Sequence, residues 1–334
     1  MAGQAAAKDG YFTRRPQRHA PPTFTILAVN NPSSRFKRPR LLLVGCGDVG
    51  MRLLPLLVAR FRVFAMTREP ARCAELRAAG AVPVVADLDH PASLGRLRGL
   101  APQVVHLAPP RPEGERDVRT RNLAAILPGG TRVVYVSTTG VYGDCGGALV
   151  GETRAVAPRN ARARRRVDAE RCLRAWARRN GGHLSILRVP GIYAAGRLPL
   201  KRLREGTPAL LPEDDVYTNH IQADDLARII VQALRKALPN RVYHAVDGTR
   251  MRMGEYFDAV ADAYALPRPP RLAREALRAQ VSPMLLSFMS ESRRLDNTRL
   301  RELGVRLRYP DVASALAEWA PAHAGTMSAL RKEP

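Results

Sequence analysis

The stretch "RLLLVGCGDVG", from Arg40 to Gly50, decides the fold of this chain. A short apolar run ends in glycines, and the residues that follow, "DVGMRLLPLLVARF", repeat apolar side chains at helical spacing. The pattern predicts a strand, a tight turn and a helix, and its glycines spell GxGxxG, which in this setting is typical of a turn that holds a pyrophosphate. A glycine turn with a purely structural role is the alternative. The residues expected to contact a dinucleotide here are Gly45, Gly47, Asp48, Val49 and Gly50.

The same alternation of strand and helix continues outward from this turn. Strands are predicted at "RVFAMTR", "AVPVVADL", "PQVVHLAPP" and "TRVVYVSTTGVYG", with helices at "PARCAELRAAG", at "PASLGRLRGL" and near residues 116–127 between them. Further on, "LSILRVPGIY" and "NRVYHAVDG" read as strands and "ADDLARIIVQALRKA" reads as a helix. Repeated βα units predict an α/β fold, a doubly wound parallel sheet of the Rossmann type.

Composition bounds the class of protein. A chain of 334 residues that is 46% hydrophobic can bury one large core or two smaller ones. No apolar run approaches the roughly 18 residues of a membrane helix, and the N-terminus lacks the apolar segment of a secretory signal, so we expect a cytoplasmic protein without a membrane partner. The four cysteines show no metal-ligand spacing, so they are expected to be reduced thiols, and no metal site is predicted.

The net charge of +24 has two interpretations. A strongly basic protein attracts polyanions, which points to nucleic acid. An Arg-heavy, Lys-poor composition produces the same charge without any such role. We favour the second interpretation because the sequence shows no basic stripe interleaved with aromatic residues and no known nucleic-acid module.

The end of the second predicted strand bears on the choice of nicotinamide cofactor. An acidic residue there binds a ribose 2′-hydroxyl, whereas an Arg accepts the 2′-phosphate of NADP. The residues at this point are Thr67 and Arg68, which favours NADP over NAD. The alternative is that Arg68 is an ordinary surface residue and that Glu69 supplies the carboxylate.

From Arg40 to about Arg308 the chain resembles the extended short-chain dehydrogenase/reductase family, the NAD-dependent epimerase/dehydratase group. The resemblance rests on "VVADL", "VVHLAPP", "VVYVSTTGVYGD", "LRVPGIYA" and "TNHIQADDLAR", in that order. It implies that the first, second and fourth of these segments contact the cofactor, and that the third carries the family's catalytic Ser or Thr at Thr138. The cofactor residues implied are Asp87, Leu88, His106, Leu107, Ala108 and Pro190.

The pattern of this chain and its resemblance also predict a division into parts. Residues 1–38 are expected to form a disordered basic leader, because they are rich in Pro, Ala, Asn and Arg without periodicity. Residues 39–190 are expected to form an NAD(P)-binding domain that is completed by about 222–247. Residues 191–221 and 248–330 are expected to form a small C-terminal substrate-binding subdomain.

The chain departs from the family at "NARARRRVDAE", Asn160 to Glu170. Where the family has a catalytic Tyr and a Lys four residues later, this chain has Arg162 and Arg166. A guanidinium stays protonated, so neither residue can act as a general base. Spaced i, i+4 on one helical face, the two can clamp an anion, and Arg166 can hydrogen-bond the nicotinamide ribose. The alternative is an ordinary solvated face.

Other residues on the family's cleft-lining motifs are candidates for the missing proton transfer. We predict that Thr138 and Tyr142 are catalytic. Tyr193 and His220 are candidates for substrate binding, although packing alone would also explain them. Arg188, with Arg162 and Arg166, is expected to make the cleft cationic and suited to an anionic small-molecule substrate.

Three functions remain open on this sequence, and we favour the first. The first is an NAD(P)-binding oxidoreductase or epimerase that works without the usual Tyr and Lys. The second is an NADP-binding redox sensor or regulatory protein without turnover, and the third is a nucleic-acid-associated protein. The arginines after Arg159 would oppose the four-helix pairing common in the family, so we expect a monomer or an unusual dimer.

Overall fold

The computed structural model describes residues 38–320. At its centre lies a parallel sheet of seven strands in the order β12-β7-β5-β4-β1-β2-β3. This order confirms the doubly wound fold, and its point of reversal lies between β1 and β4, where such sheets bind ligands. The strands are β1 Arg40–Val44, β2 Arg62–Thr67, β3 Val82–Val85, β4 Gln103–His106, β5 Arg132–Thr138, β7 His183–Val189 and β12 Arg241–His244.

Helices cover both faces of the sheet because its strands are apolar on both sides. In β1, Leu41 and Leu43 pack into one apolar cluster with residues of α1 (Asp48–Val58) and α6 (Ala223–Lys236). Leu42 and Val44 pack into a second cluster on the opposite face. That second cluster includes residues of α3 (Val118–Ile126) and α4 (Ala161–Asn180). A strand buried on both faces reads as a continuous apolar run, as β1 does.

Two of the predicted helices differ from the sequence-based expectation. The segment "PASLGRLRGL" forms a 3₁₀ helix, Pro91–Leu97, rather than an α-helix. Gly95 within it disfavours a long α-helical run, whereas a proline at the first position is compatible with either kind of helix. "PARCAELRAAG" begins as a 3₁₀ turn, Pro70–Arg72, and becomes α-helical only in α2, Cys73–Ala78.

The arginine-rich helix α4 is set by its two ends. The side chain of Asn160 caps it by accepting a hydrogen bond from the backbone N–H of Ala163. Gly181 ends it with φ of 61°, the left-handed conformation that glycine adopts without strain. Between the caps, Ala169, Leu173 and Trp176 pack into the second apolar cluster, so this face of the helix is fixed against the sheet.

The remaining elements build a third apolar cluster, which includes Tyr193, Leu210, Phe257 and Leu316. Residues 312–320 are helical. The helices here are α5 Leu200–Arg204, α7 Met253–Ala263, α8 Arg274–Arg278 and α9 Pro283–Phe288. The short strands are β6 Leu149–Val150, β8 Gly191–Tyr193, β9 Ala209–Leu210, β10 Tyr217–Thr218, β11 His220–Gln222, β13 Met251–Arg252, β14 Arg271–Leu272 and β15 Arg294–Leu295.

The third cluster draws its residues from the segments expected to form the substrate-binding subdomain, and the division of the chain into domains stays a prediction. The expected leader lies almost wholly outside the described residues, as do residues 321–330. Within residues 38–320 no helix is both long and apolar enough to cross a bilayer. Across the same range the four cysteines are free thiols.

Candidate functional site

A first cavity of about 590 Å³ opens at the carboxyl ends of β1, β2 and β4. Most of the residues predicted to contact a dinucleotide line it. These are Gly45, Gly47, Asp48, Val49, Gly50, Thr67, Arg68, Asp87, Leu88, Leu107 and Ala108. The sequence motifs therefore meet in one place at the reversal point of the sheet.

The three glycines occupy three different environments. At Gly45, φ is +89°, and a Cβ would lie 2.5 Å from the backbone nitrogen of Ala108. At Gly50, a Cβ would lie 3.2 Å from the carbonyl oxygen of Gly45, because the first turn of the helix lies close to the glycine turn. At Gly47, a Cβ would meet no atom within 4 Å. Gly45 therefore shapes the turn, Gly50 lets the elements pack, and Gly47 leaves space facing the cavity.

The N-terminus of α1 points its unpaired N–H groups into this region. Gly47 is the N-cap residue, and no side chain caps the helix. The carboxylate of Asp48 in the first turn is balanced by the guanidinium groups of Arg52, at 3.3 Å, and Arg197, at 3.0 Å. Free N–H groups, the positive end of the helix dipole and the space at Gly47 fit the pyrophosphate of a dinucleotide.

Charged side chains surround the end of β2. Arg68 and Glu69 are both exposed and lie 3.7 Å apart, guanidinium to carboxylate. Arg72, which the sequence analysis did not select, also lines the cavity. Its Nη1 donates to the carbonyl of Cys46 at 2.7 Å, and its Nε lies 3.0 Å from the carboxylate of Glu75. No pattern in the sequence singles out Arg72, because its position depends on how α2 folds back toward the glycine turn.

The prediction for His106 is wrong as regards its side chain. His106 is fully buried, and its Nε2 lies 2.9 Å from the hydroxyl of Thr120. Burial lowers its pKa to about 3. It is the last residue of β4, so its side chain lies within the protein, and only the residues after it, Leu107 and Ala108, reach the first cavity.

A second cavity of about 880 Å³ adjoins the first. The two share Pro109, Ile192 and Arg197 in their walls. The hydroxyl of Thr138, at the end of β5, accepts a hydrogen bond from the N–H of Gly140. Six residues singled out from the sequence line this second cavity: Thr138, Arg162, Arg166, Pro190, Tyr193 and His220.

Arg162 and Arg166, which the resemblance predicts to stand in place of a Tyr and a Lys, both belong to the wall of this cavity. The guanidinium of Arg162 lies 4.5 Å from the centroid of the Phe288 ring. Nη1 of Arg166 donates to the hydroxyl of Tyr135 at 3.0 Å and to the carbonyl of Val136 at 3.1 Å. Arg166 is half-buried and held by two hydrogen bonds, so an ordinary solvated face does not describe it, whereas Arg162 is exposed at the cavity wall and its role in binding stays a prediction.

Arg165 is a further wall residue of the second cavity that sequence reasoning missed. It lies three residues after Arg162, and residues spaced i, i+3 share a helical face just as those spaced i, i+4 do. That spacing was a usable signal. The family pattern itself indicates only Arg162 and Arg166.

The predictions for Tyr142 and for Arg188 are corrected by the structure. Tyr142 is 1% exposed and does not line either cavity, so its phenol is not placed for proton transfer to a substrate there. The 3₁₀ turn Thr139–Tyr142 directs it into the interior. Arg188 is also buried, where it forms an ion pair with Glu170 at 2.7 Å rather than lining the cleft.

Tyr193 and His220 line the second cavity and are also packed. The hydroxyl of Tyr193 donates to the carbonyl of Asp311 at 3.3 Å. The ring of His220 lies 4.3 Å from that of Tyr256, and burial lowers its pKa to about 3. Nε2 of His220 is buried without a hydrogen-bond partner among residues 38–320. His220 is therefore a neutral ring with one unused nitrogen at the cavity wall.

Comparisons with known proteins agree with this geometry. A family model described as NAD(P)H-binding matches residues 45–237, which is more than half of the chain. No curated protein matches the chain at significant similarity.

Three solved structures illustrate the shared fold. A conserved protein of unknown function from Silicibacter pomeroyi is 28% identical, with 85% of this chain and 99% of that one covered and a TM-score of 0.69. The UDP-glucose 4-epimerase of Thermotoga maritima, solved with UDP-glucose, is 16% identical (86% and 99% covered, TM-score 0.69). The UDP-glucose 4-epimerase of Thermus thermophilus, in complex with NAD, is 19% identical (84% and 99% covered, TM-score 0.65). The chain therefore belongs to the NAD(P)H-binding family and has the fold of the epimerase/dehydratase group of short-chain dehydrogenases/reductases.

Proposed function

We propose that this protein is an NADP(H)-dependent oxidoreductase or epimerase-like enzyme that acts on a small anionic molecule without a Tyr–Lys pair. The observation that carries the proposal is the adjoining of the two cavities, which share Pro109, Ile192 and Arg197. The first has the glycine turn of a dinucleotide site, and the second has Thr138 in its wall. A substrate in the second cavity would therefore lie beside the cofactor in the first.

The preference for NADP over NAD rests on the charges at the end of β2. Arg68 and Arg72 both line the first cavity, and guanidinium groups bind phosphate. Glu69 lines it too, but its carboxylate lies 3.7 Å from Arg68, which offsets its charge. The balance at this edge therefore favours the 2′-phosphate of NADP.

The bound nicotinamide would supply the hydride chemistry, and the protein's own residues would position the substrate. Thr138 can hold a substrate oxygen through its hydroxyl. Arg162 can stabilise negative charge on such an oxygen by donating hydrogen bonds, although it cannot remove a proton. Arg166 lies at the family's Lys position, and Tyr135 and Val136 occupy only its Nη1, so we assign its other N–H groups to the nicotinamide ribose and to the substrate beside it.

A second candidate function is an NADP-binding redox sensor without turnover. The burial of Tyr142 favours it, because this removes the phenol that the sequence offered in place of the missing Tyr. The two candidates share the first cavity and differ in what the second one does.

The experiment is a calorimetric titration of the full chain with NADPH and then NADH, followed by a turnover screen monitored by nicotinamide absorbance. We expect tighter binding of NADPH, and turnover of an anionic carbonyl or hydroxyl compound that Thr138→Val abolishes and Thr138→Ser retains. NADPH binding without turnover of any compound in the screen would support the sensor instead. Absence of binding by either cofactor would overturn both proposals.

A further inference from the structure

The wall of the second cavity carries a large excess of positive charge. Six arginines and one carboxylate, Glu291, line it. Three of the arginines have acidic partners: Arg111 with Asp89 at 3.0 Å, Arg197 with Asp48 at 3.0 Å, and Arg293 with Glu291 at 2.8 Å. The other three, Arg162, Arg165 and Arg166, have no carboxylate within 4 Å among residues 38–320. We call these three the α4 arginines.

Arg165 is the most deeply placed of the three. It is only 6% exposed, and its Nη1 donates to the carbonyl of Gly114 at 2.6 Å. Its Nε is buried and has no hydrogen-bond partner within the part of the chain that the structure describes. A buried guanidinium without a counter-charge is costly, so its environment is one that an anion would complete.

The position of the α4 arginines along their helix points the same way. They lie within the first six residues of α4, whose first turn has no acidic residue. The N-terminus of a helix carries the positive end of its dipole, where cations are unfavourable and anions favourable. Partial desolvation at the cavity wall lowers the pKa of Arg162, Glu291 raises it, and repulsion by Arg166, Arg165 and Arg293 lowers it further, although the side chain keeps an exposed part.

We propose that the α4 arginines bind a small dianion, a phosphate monoester or a dicarboxylate, carried by the substrate beside Thr138. Three guanidinium groups on one helical face, at the positive end of the helix dipole, match two negative charges close together. The statement that the dianion is part of a substrate rests on the proposed function. The statement that an anion binds at the α4 arginines is independent of it.

The test measures thermal unfolding of the full chain in inorganic phosphate or malonate, with acetate and potassium chloride at matched ionic strength as controls. The experiment is run in a Gly47→Asp background, which keeps anions away from the glycine turn. We expect a saturable rise in the unfolding midpoint with phosphate, malonate or both, and a smaller one with acetate. A response to phosphate alone would assign a phosphate monoester, and a response to malonate alone would assign a dicarboxylate.

Three variants make the test specific. Arg162→Gln and Arg165→Gln are each expected to lower the affinity for the dianion at least about 10-fold. Arg164→Gln is the matched control, because Arg164 lies on the same helix but is paired with Glu115 at 2.8 Å and is not part of the cavity wall. Arg162→Gln is also expected to raise the midpoint without ligand, since it removes repulsion at the helix N-terminus.

The proposal is overturned if acetate acts as strongly as the dianions, or if Arg164→Gln weakens binding as much as the other two variants. Titration with NADPH in the parent protein separates this result from the proposed function. If the Gly47→Asp protein with its α4 arginines intact shows no response to either dianion while the parent protein binds NADPH, the α4 site alone is refuted. A dianion response without NADPH binding would refute the proposed function and leave the α4 site standing.

Discussion

The phenol oxygen of Tyr142 lies 2.6 Å from Nε2 of His244, deep in the protein. Nη1 of Arg188 lies at the same distance from this oxygen, and Arg188 in turn holds Glu170 of α4. Nδ1 of His244 lies 2.7 Å from the carbonyl of Asp296, so we assign the ring proton to Nδ1 and the accepting role to Nε2. The phenol therefore donates to His244 and accepts from Arg188. This buried network ties α4 to β7 and β12.

The network predicts that Tyr142 contributes to stability rather than to chemistry. Tyr142→Phe is expected to lower the free energy of unfolding by about 1–3 kcal/mol, because it leaves two buried atoms, Nη1 of Arg188 and Nε2 of His244, without the hydroxyl they contact. Denaturant unfolding measures the effect, and NADPH affinity should not change. Tyr217→Phe is the control, since no hydrogen bond of its hydroxyl is found in the described structure. Loss of turnover at unchanged stability would instead return Tyr142 to the catalytic residues.

The space at Gly47 predicts a clean separation of binding from folding. Gly47→Asp is expected to lower the affinity for NADPH by more than about 100-fold, because it sets a carboxylate against the pyrophosphate. Its φ of −82° suits any residue, so stability should stay close to that of the parent. Gly47→Ala is the matched control for size, with a smaller loss of affinity. Calorimetry and thermal unfolding of both variants check the prediction, and tight binding by Gly47→Asp would contradict the assignment of the turn.

Gly45 is expected to behave in the opposite way. Its φ of +89° and the backbone of Ala108 at 2.5 Å from a built Cβ leave no room for a side chain. Gly45→Ala should therefore lower the unfolding midpoint sharply, whether or not cofactor is present. Thermal unfolding without cofactor tests this, and a midpoint equal to that of Gly47→Ala would contradict it.

Arg68 is expected to set the choice between NADPH and NADH. Arg68→Ser should lower the affinity for NADPH about 10-fold or more and leave the affinity for NADH nearly unchanged, because it removes a charge beside the proposed 2′-phosphate. Arg68 is well exposed and its ion pair with Glu69 is long, so its loss should cost little stability. Arg77→Ser, on the exposed side of α2, is the control. An equal loss for the two cofactors would place Arg68 outside the 2′-phosphate site.

The buried histidines predict a loss of stability in mild acid. Burial lowers the pKa of His106 and His220 to about 3 and that of His244 to about 4, from an ordinary value of 6.5. Between about pH 6.5 and 4 the unfolded chain therefore binds protons that the folded protein does not. Each histidine then lowers the free energy of unfolding by up to about 1.4 kcal/mol per pH unit as the pH falls.

Asp247 acts in the opposite direction. Burial raises its pKa to about 7, so the folded protein takes up a proton there as the pH falls, which adds stability down to its ordinary value of 3.8. The effect of the three histidines is larger than that of the one aspartate, so the free energy of unfolding should fall as the pH is lowered. Urea unfolding at pH 7 and pH 5 measures it, and Asp247→Asn should make the slope steeper. A flat pH dependence in both proteins would show that these groups are not buried as described.

Local patterns were sufficient for most of the first cavity. Three segments each follow the end of a strand: the GxGxxG turn after its apolar run, the segment with Asp87 and the segment with Ala108. Parallel strands end at one edge of the sheet. Their meeting point therefore follows once the fold class is known. The prediction for the side chain of His106 was wrong because a motif identifies a whole segment, whereas each side chain in that segment can point toward the cavity or into the interior.

By itself, the sequence determined the doubly wound sheet and the glycine turn, because these depend on residues that are neighbours along the chain. Only the tertiary structure decided which side chains reach a cavity. Tyr142 meets a histidine 102 residues away, and Glu170 takes Arg188 out of the cleft. Arg165 enters the cavity wall because α4 is fixed by its apolar face. Such outcomes depend on contacts between distant residues. Local spacing can place two residues on one helical face, as it does for Arg162 and Arg165, but it does not determine what that face contacts.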